Sequence, residues 1–333
     1  MGHGPDPDAA RPGPPPQAVQ VSPSRVGLTG IETTIRIAPV NGGRPQLFAA
    51  SIDCVVDLGE PRHGRRTRRF DEVITEVTGE VVLGQPEFRA EKLARRIAER
   101  VRERHDARRA EVTISARYPE DRPAPVSGIL TQEIYTLHGW AGATMAGTRR
   151  VTGVTVQGIT AAPDAQRAIT AVAADRLRAD GFSPERIARI LAAVPVATHD
   201  QRGVGSLYVG ARAQDDTELD ALTLVDIVEG SMSSAIYELM KRSDEGAVVD
   251  RAHRRARLAT DCVRESLATV VARFPGLDGG HFVLARQENL ETIHAHTIVA
   301  ERHGLLAEIR AEVAGGEPPP RHTSLREWRD AEG

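Results

Sequence analysis

The chain is poor in cysteine: Cys54 and Cys262 are the only two among 333 residues. Two thiols cannot make a disulfide framework or a thiolate zinc cluster, which excludes a small stapled domain and a structural zinc module. Long apolar runs are also missing. No stretch approaches the roughly 18 uninterrupted apolar residues of a membrane-spanning helix. Charge of one sign is not in excess either, with 43 Lys and Arg against 46 Asp and Glu and a net charge of -3. Without a basic field, DNA and RNA are not expected partners, whereas small anionic ligands remain open. Nothing near Met1 resembles a charged segment leading into an apolar core, so the expected location is cytoplasmic.

The chain does have 40% hydrophobic residues, enough to bury the core of one large domain or two smaller ones. Residues 1–22 carry Pro5, Pro7, Pro12, Pro14, Pro15 and Pro16 with little to bury, and read as a disordered lead. From Gly315 the pattern recurs through Pro318-Pro319-Pro320, so 315–333 reads as a disordered tail around a folded body of 23–314. That body divides near Gly147 into two similar halves, 23–147 and 148–314.

In the first half, Ile31 to Ile37 and Leu47 to Leu58 read as strands. Leu93, Ile97 and Val101 recur at helical spacing, and Glu111 to Tyr118 and Glu133 to Leu137 read as strands again. In the second half, Val151 to Thr160 is strand-like. Ser183-Pro184-Glu185 opens a helix whose buried face is Ile187, Ile190 and Leu191. Residues 204–212 look extended, Leu219 to Lys241 and Glu245 to Phe274 look helical, and Phe282 to Leu290 closes the half as a strand.

Four segments could carry chemistry. Glu291-Thr-Ile-His294-Ala-His296 sets a carboxylate and two imidazoles within six residues. In an extended segment His294 and His296 share a face, and in a helical turn Glu291 and His294 are neighbours; either supplies two adjacent metal donors. Chance co-occurrence of surface His and Glu is the plain alternative. His199, in Thr198-His199-Asp200-Gln201-Arg202, is a candidate third ligand or else a loop histidine capping the preceding helix. Lys241-Arg242-Ser243-Asp244-Glu245 breaks two helical stretches, and such charged connections are usually solvated. Between Arg62 and Arg69 five arginines fall in eight residues, suiting a triphosphate or a solvated basic turn equally well.

Taken with Ser24-Arg25-Val26-Gly27-Leu28-Thr29-Gly30 and Gly158-Ile159-Thr160-Ala161-Ala162-Pro163-Asp164-Ala165-Gln166, these motifs occur in an order that resembles the type IB GTP cyclohydrolases and their archaeal counterparts. The resemblance runs through most of residues 23–310. It implies an α+β tandem T-fold (tunnelling fold), with two ββααββ-like halves and antiparallel sheets. It implies hydrolysis at C8 of GTP by metal-activated water, imidazole ring opening, formate release and, in members that complete the reaction, dihydropterin formation. By motif position it implies Glu291, His199 and Glu245 as catalytic residues and His199, His294 and His296 as metal contacts. It also implies a homo-oligomer, usually a tetramer, with sites at subunit boundaries.

Three positions depart from the family pattern. Where the family has Cys-Pro-Cys, this chain has Ala162-Pro163-Asp164; Asp164 is the replacement ligand to consider, with iron(II), manganese or magnesium favoured over zinc. Fifteen residues beyond Glu245 the family's guanine-anchoring Glu is Thr260, beside Asp261; one hydroxyl cannot accept both N–H donors of a guanine edge. In the arginine run a family histidine is Arg66, which either faces a phosphate or leaves the metal weak or absent; Arg66, Arg69 and Arg202 are the expected substrate-binding arginines. The alternatives to a GTP hydrolase are a homologue with a changed heterocyclic substrate or product, and a non-catalytic nucleotide- or pterin-binding protein.

Overall fold

A computed structural model describes residues 24–37, 46–57, 72, 75, 76, 79, 89–215 and 217–331. Among the described residues, nine strands form one continuous antiparallel sheet: β1 (Val26–Ile37), β2 (Gln46–Asp57), β3 (Arg109–Pro123), β4 (Leu130–Thr144), β5 (Gly147–Ala161), β6 (Asp200–Ala211), β7 (Ser234–Ala235), β8 (Phe282–Leu290) and β9 (Thr297–Leu305). The spatial order is β1-β2-β3-β4-β5-β6-β8-β9, with the short β7 pairing β5. The halves join through the tight β4–β5 turn, where Thr144 faces Gly147. The second half runs β5, β6, helices, β8, β9, in agreement with the tandem T-fold expectation.

One face of this sheet is covered by helices. Pairs such as Ile52 and Ile114, Leu137 and Val154, and Leu207 and Ala285 share it, and all are buried. On the first half lies α1 (Ala90–His105). Its Leu93, Ala94, Ile97, Ala98 and Val101 are at most 4% exposed, each large aliphatic side chain stabilising the fold by roughly 1.5–3 kcal/mol. The helix approaches β4 closely because position 139 is glycine: a Cβ there would stand 2.2 Å from the Ala90 backbone. It ends at Asp106, in the left-handed conformation at φ 46°, a common way to satisfy terminal carbonyls.

The second half carries α2 (Pro163–Ala179), α3 (Pro184–Ala193), α4 (Ala221–Ser231), α5 (Arg242–Arg254), α6 (Ala259–Arg273) and α7 (Leu306–Val313). The expected helix from Leu219 to Lys241 ends at Ser231. There the chain turns extended so that Ser234 pairs Ile159 and Ala235 pairs Gly158. The expected single helix from Glu245 to Phe274 is two, because the Arg257 amide leaves the helical pattern to donate to Ala161 O at 2.8 Å. Ser183 caps α3 as expected, accepting from the Arg186 amide, but only Ile187 of its apolar face is buried.

The opposite face is more open, and it corrects the expectation of a disordered C-terminal tail. Residues 325–330 form α8 (Leu325–Asp330), started by a reciprocal Ser324–Glu327 capping box. Its Trp328 is 2% exposed, packs with Trp140, Val151 and Phe282, and donates its indole N–H to Gly280 O at 3.1 Å. The Arg329 guanidinium lies 3.9 Å from the Trp140 ring centre. A proline-rich composition signals disorder only where nothing can be buried; one tryptophan reaching an aromatic patch supplies the missing burial. No helix among the described residues is long and apolar enough to cross a membrane.

Candidate active site

The end of β5, the start of β6 and the end of β8 lie together at one end of the sheet, since Ala161 pairs Asp200 and Arg202 pairs Leu290. Pro163, at the start of α2, cannot donate a ladder hydrogen bond and turns the chain out of the strand. The turn is fixed against the β6 approach by two bonds: Ala162 N–H to His199 O at 3.1 Å and Thr198 Oγ1 to Ala162 O at 2.8 Å. From β8, Thr292 Oγ1 donates to Asp200 O at 3.0 Å and ties down the loop that begins at Glu291.

The outcome is a close carboxylate–imidazole pair, with His199 Nε2 3.4 Å from Glu291 Oε2. The Glu291 side chain is only 5% exposed and that of His199 17%, so both are shielded without being sealed. Such a pair can orient an imidazole and share a proton with a bound water or substrate nitrogen. Beside it, the buried Gln201 donates through Nε2 to Thr160 Oγ1 at 3.1 Å, while its Oε1 receives no hydrogen bond from the described residues.

His294 and His296 lie in the exposed loop after β8, their rings stacked with centres 5.0 Å apart. Asp164 is exposed in the first turn of α2 and paired with Arg167 of the same helix. Glu245 is exposed in the first turn of α5. Thr260 is exposed at the start of α6, and Asp261 accepts from the Leu258 amide at 3.0 Å and from Arg264 at 3.3 Å. Arg202 donates to Gln157 Oε1 at 3.0 Å. Arg66 and Arg69 fall outside the described residues. Among the described residues, no three His, Cys, Asp or Glu side chains gather to hold a metal. The donor types suit a divalent cation, but the described residues of one chain do not complete a centre for one.

Several positioning residues are not among the site residues expected from the sequence. Gln166 Nε2 donates to Val196 O at 2.8 Å and to His253 O at 2.6 Å, holding α2 to the segment before His199 and to α5. The His253 ring faces Thr198 O at 3.3 Å and Val249 O at 2.8 Å. Asp244, expected in a solvated connection, is fully buried. It accepts from the amides of Val126, Ser127 and Lys241 at 2.8 Å each and from Ser127 Oγ at 2.6 Å. Burial works to raise its carboxyl, but these donors prevail and hold it well below the ordinary carboxylate range. Asp244 thereby couples the turn between β3 and β4 to the start of α5. A capping position three residues into a helix was the available clue. Both cysteine thiols are buried and pushed up to about 12 by desolvation, so neither substitutes for the missing family thiolate.

A family model described as type I GTP cyclohydrolase folE2 matches residues 14–300. A GTP cyclohydrolase MptA of Methanococcus aeolicus is 36% identical over 301 residues, covering 89% of this chain and 96% of the relative. That of Methanosarcina mazei is 34% identical over 318 residues, covering 93% and 97%. Among solved structures, a highly active BTUO mutant superposes with a TM-score of 0.51 at 8% identity, covering 85% of this chain and 99% of that one. This last likeness concerns the fold alone.

Proposed function

Since the chain belongs to the type I GTP cyclohydrolase family, we propose that it hydrolyses GTP, or a closely related purine nucleotide, at C8 and releases formate. The observation that carries this reading is the His199–Glu291 pair at the meeting point of three family motifs. As water adds to C8, the pair takes one of its protons and passes it to N7. The C8 hydroxyl then gives up its proton, which is delivered to N9 as the C8–N9 bond breaks, leaving a formamide on N7. A second water, activated in the same way, releases formate and leaves the amine. Glu291 moves the proton, and the His199 Nε2 beside it positions the carboxylate. Gln201 Oε1 offers a buried acceptor to a substrate N–H. Outside this pair, Glu245 is a further proton carrier, and Arg202, Arg66 and Arg69 bind phosphates.

The family implies a divalent metal, and our candidates are iron(II), manganese and zinc. His199, His294 and His296 are our candidate ligands, and Asp164 joins them only by releasing Arg167. Because no three donors meet in the described part of one chain, we place completion of the centre at the boundary with a second copy, in a homotetramer. We assign the reaction to the cytoplasm, where two free thiols remain reduced.

A second reading, a changed base, rests on one observation. Thr260 offers no carboxylate, and Asp261 is committed to the α6 cap and Arg264. Restoring Ala162→Cys with Thr260→Glu is expected to raise GTP turnover; no gain would favour the changed base. The primary test is anaerobic incubation with GTP and each metal in turn, following formate and all nucleotide masses. Formate with a formamidopyrimidine or pterin product supports C8 hydrolysis, and unchanged GTP under every metal overturns it.

A further inference from the structure

At the other end of the sheet, about 35 Å from the His199–Glu291 pair along β5, a cavity of about 410 Å³ opens beside α8. Arg149, Arg212, Arg321 and Trp328 are among its walls. The segment that completes it lies beyond residue 300, where the family match ends. Arg149 is 9% exposed; its Nη2 donates to Ala331 O at 2.7 Å and its guanidinium stands 5.2 Å from the Trp328 ring centre.

Among the described residues, neither Arg149 nor Arg212 is paired with a carboxylate. Burial, Arg212 and Arg109 all work against the charged form of Arg149 and lower its pKa. The one wall carboxylate, Glu327, is engaged by Arg321 and by the Ser324 amide and hydroxyl at 2.8 Å each. A buried guanidinium facing a second one without a counter-ion is costly in the empty protein and favourable around an anion. Planar guanidinium forks fit phosphoryl oxygens, and the volume is that of a small-molecule site.

We propose that this cavity binds a phosphorylated small molecule, with Arg149 and Arg212 at the phosphoryl group and Arg321 at the rim, fastening the C-terminal helix to the sheet. The inference is independent of the reaction at the opposite end. The same geometry supplies a selective reporter. The chain has two tryptophans, and both, Trp140 and Trp328, belong to the cluster behind the cavity, so pyrophosphate bound at the distant site leaves their emission unchanged.

The test is a titration of the full chain with inorganic pyrophosphate at constant ionic strength, read by tryptophan emission. A saturable change is expected, with the midpoint roughly tenfold weaker in Arg212→Gln, since a hydrogen bond to a charged group is lost. Arg212→Lys, which keeps charge but not the fork, should fall between them. Arg212 is exposed, and thermal melts establish that its variants are folded. No saturable change, the same change with sodium chloride, or an undiminished midpoint in Arg212→Gln would each overturn the proposal.

Discussion

Glu91 provides a quantitative test of how the first half is held together. It lies in the first turn of α1, is 4% exposed, and its carboxyl is pushed up from 4.5 to about 7. Burial is the main cause, only partly opposed by its backbone hydrogen bond and by Arg89, Arg150 and Lys92. For an acid raised in the folded state, the folded and unfolded chains bind protons equally below pH 4.5, so no penalty exists there. Between pH 4.5 and 7 the unfolded chain ionises first, and folding loses stability as pH rises. With about 1.4 kcal/mol per pH unit, the full loss is about 3 kcal/mol above pH 7. Glu91→Gln removes the titration while keeping shape and a hydrogen-bonding oxygen. We expect wild type and variant to differ least at pH 4.5, and the variant to gain stability relative to wild type as pH rises to 8. Urea midpoints at half-unit pH intervals measure this directly. A stability difference that stays flat with pH, or a variant that loses ground above pH 7, would refute the burial argument.

Three further outcomes follow from other parts of the molecule. Glu291→Gln and His199→Ala should each lower formate release by about 10²–10⁴-fold, with unchanged circular dichroism and elution volume; activity equal to wild type would remove the pair from the mechanism. Gly210→Ala places a Cβ 2.6 Å from the Trp328 ring and should displace α8, seen as a red shift in tryptophan emission and faster proteolysis at the C-terminus. Asp244→Asn replaces an acceptor-only group by one that turns donors toward donors, and should lower the melting temperature at pH 7. Because the Asp244 carboxyl is depressed in the folded state, its contribution is present above the ordinary carboxylate range and lost as pH falls below about 4. The wild-type advantage should therefore shrink in acid, and a pH-independent difference would contradict it.

Much of the architecture is legible in local patterns. Alternation marks β2 and β3, and the four-residue recurrence of Leu93, Ile97 and Val101 marks α1. Ser183-Pro184 marks the start of α3, and Phe282–Leu290 is recovered with its ends unchanged. The motif residues of the candidate site are legible too, through their order in the chain. The failures share a cause. Residues 255–258 and 232–235 are helix-compatible, but the Arg257 and Ser233 amides donate to Ala161 O and Ile159 O of β5, far away in sequence, and 234–235 pair with that strand. Asp244 looks like one charge in a solvated run until the β3–β4 turn arrives with three donors.

The sequence by itself determined many of the strand and helix periods and the family, because these depend on residue type and spacing within short windows. Only the tertiary structure decided which motif residues meet. It set His199 against Glu291, turned Asp164 toward Arg167, committed Asp261 to a helix cap, and folded the proline-rich C-terminal segment back through Trp328. The meeting of His199 with Glu291 and the docking of Trp328 depend on strand register and on partners far away in the chain, whose energies no local pattern contains.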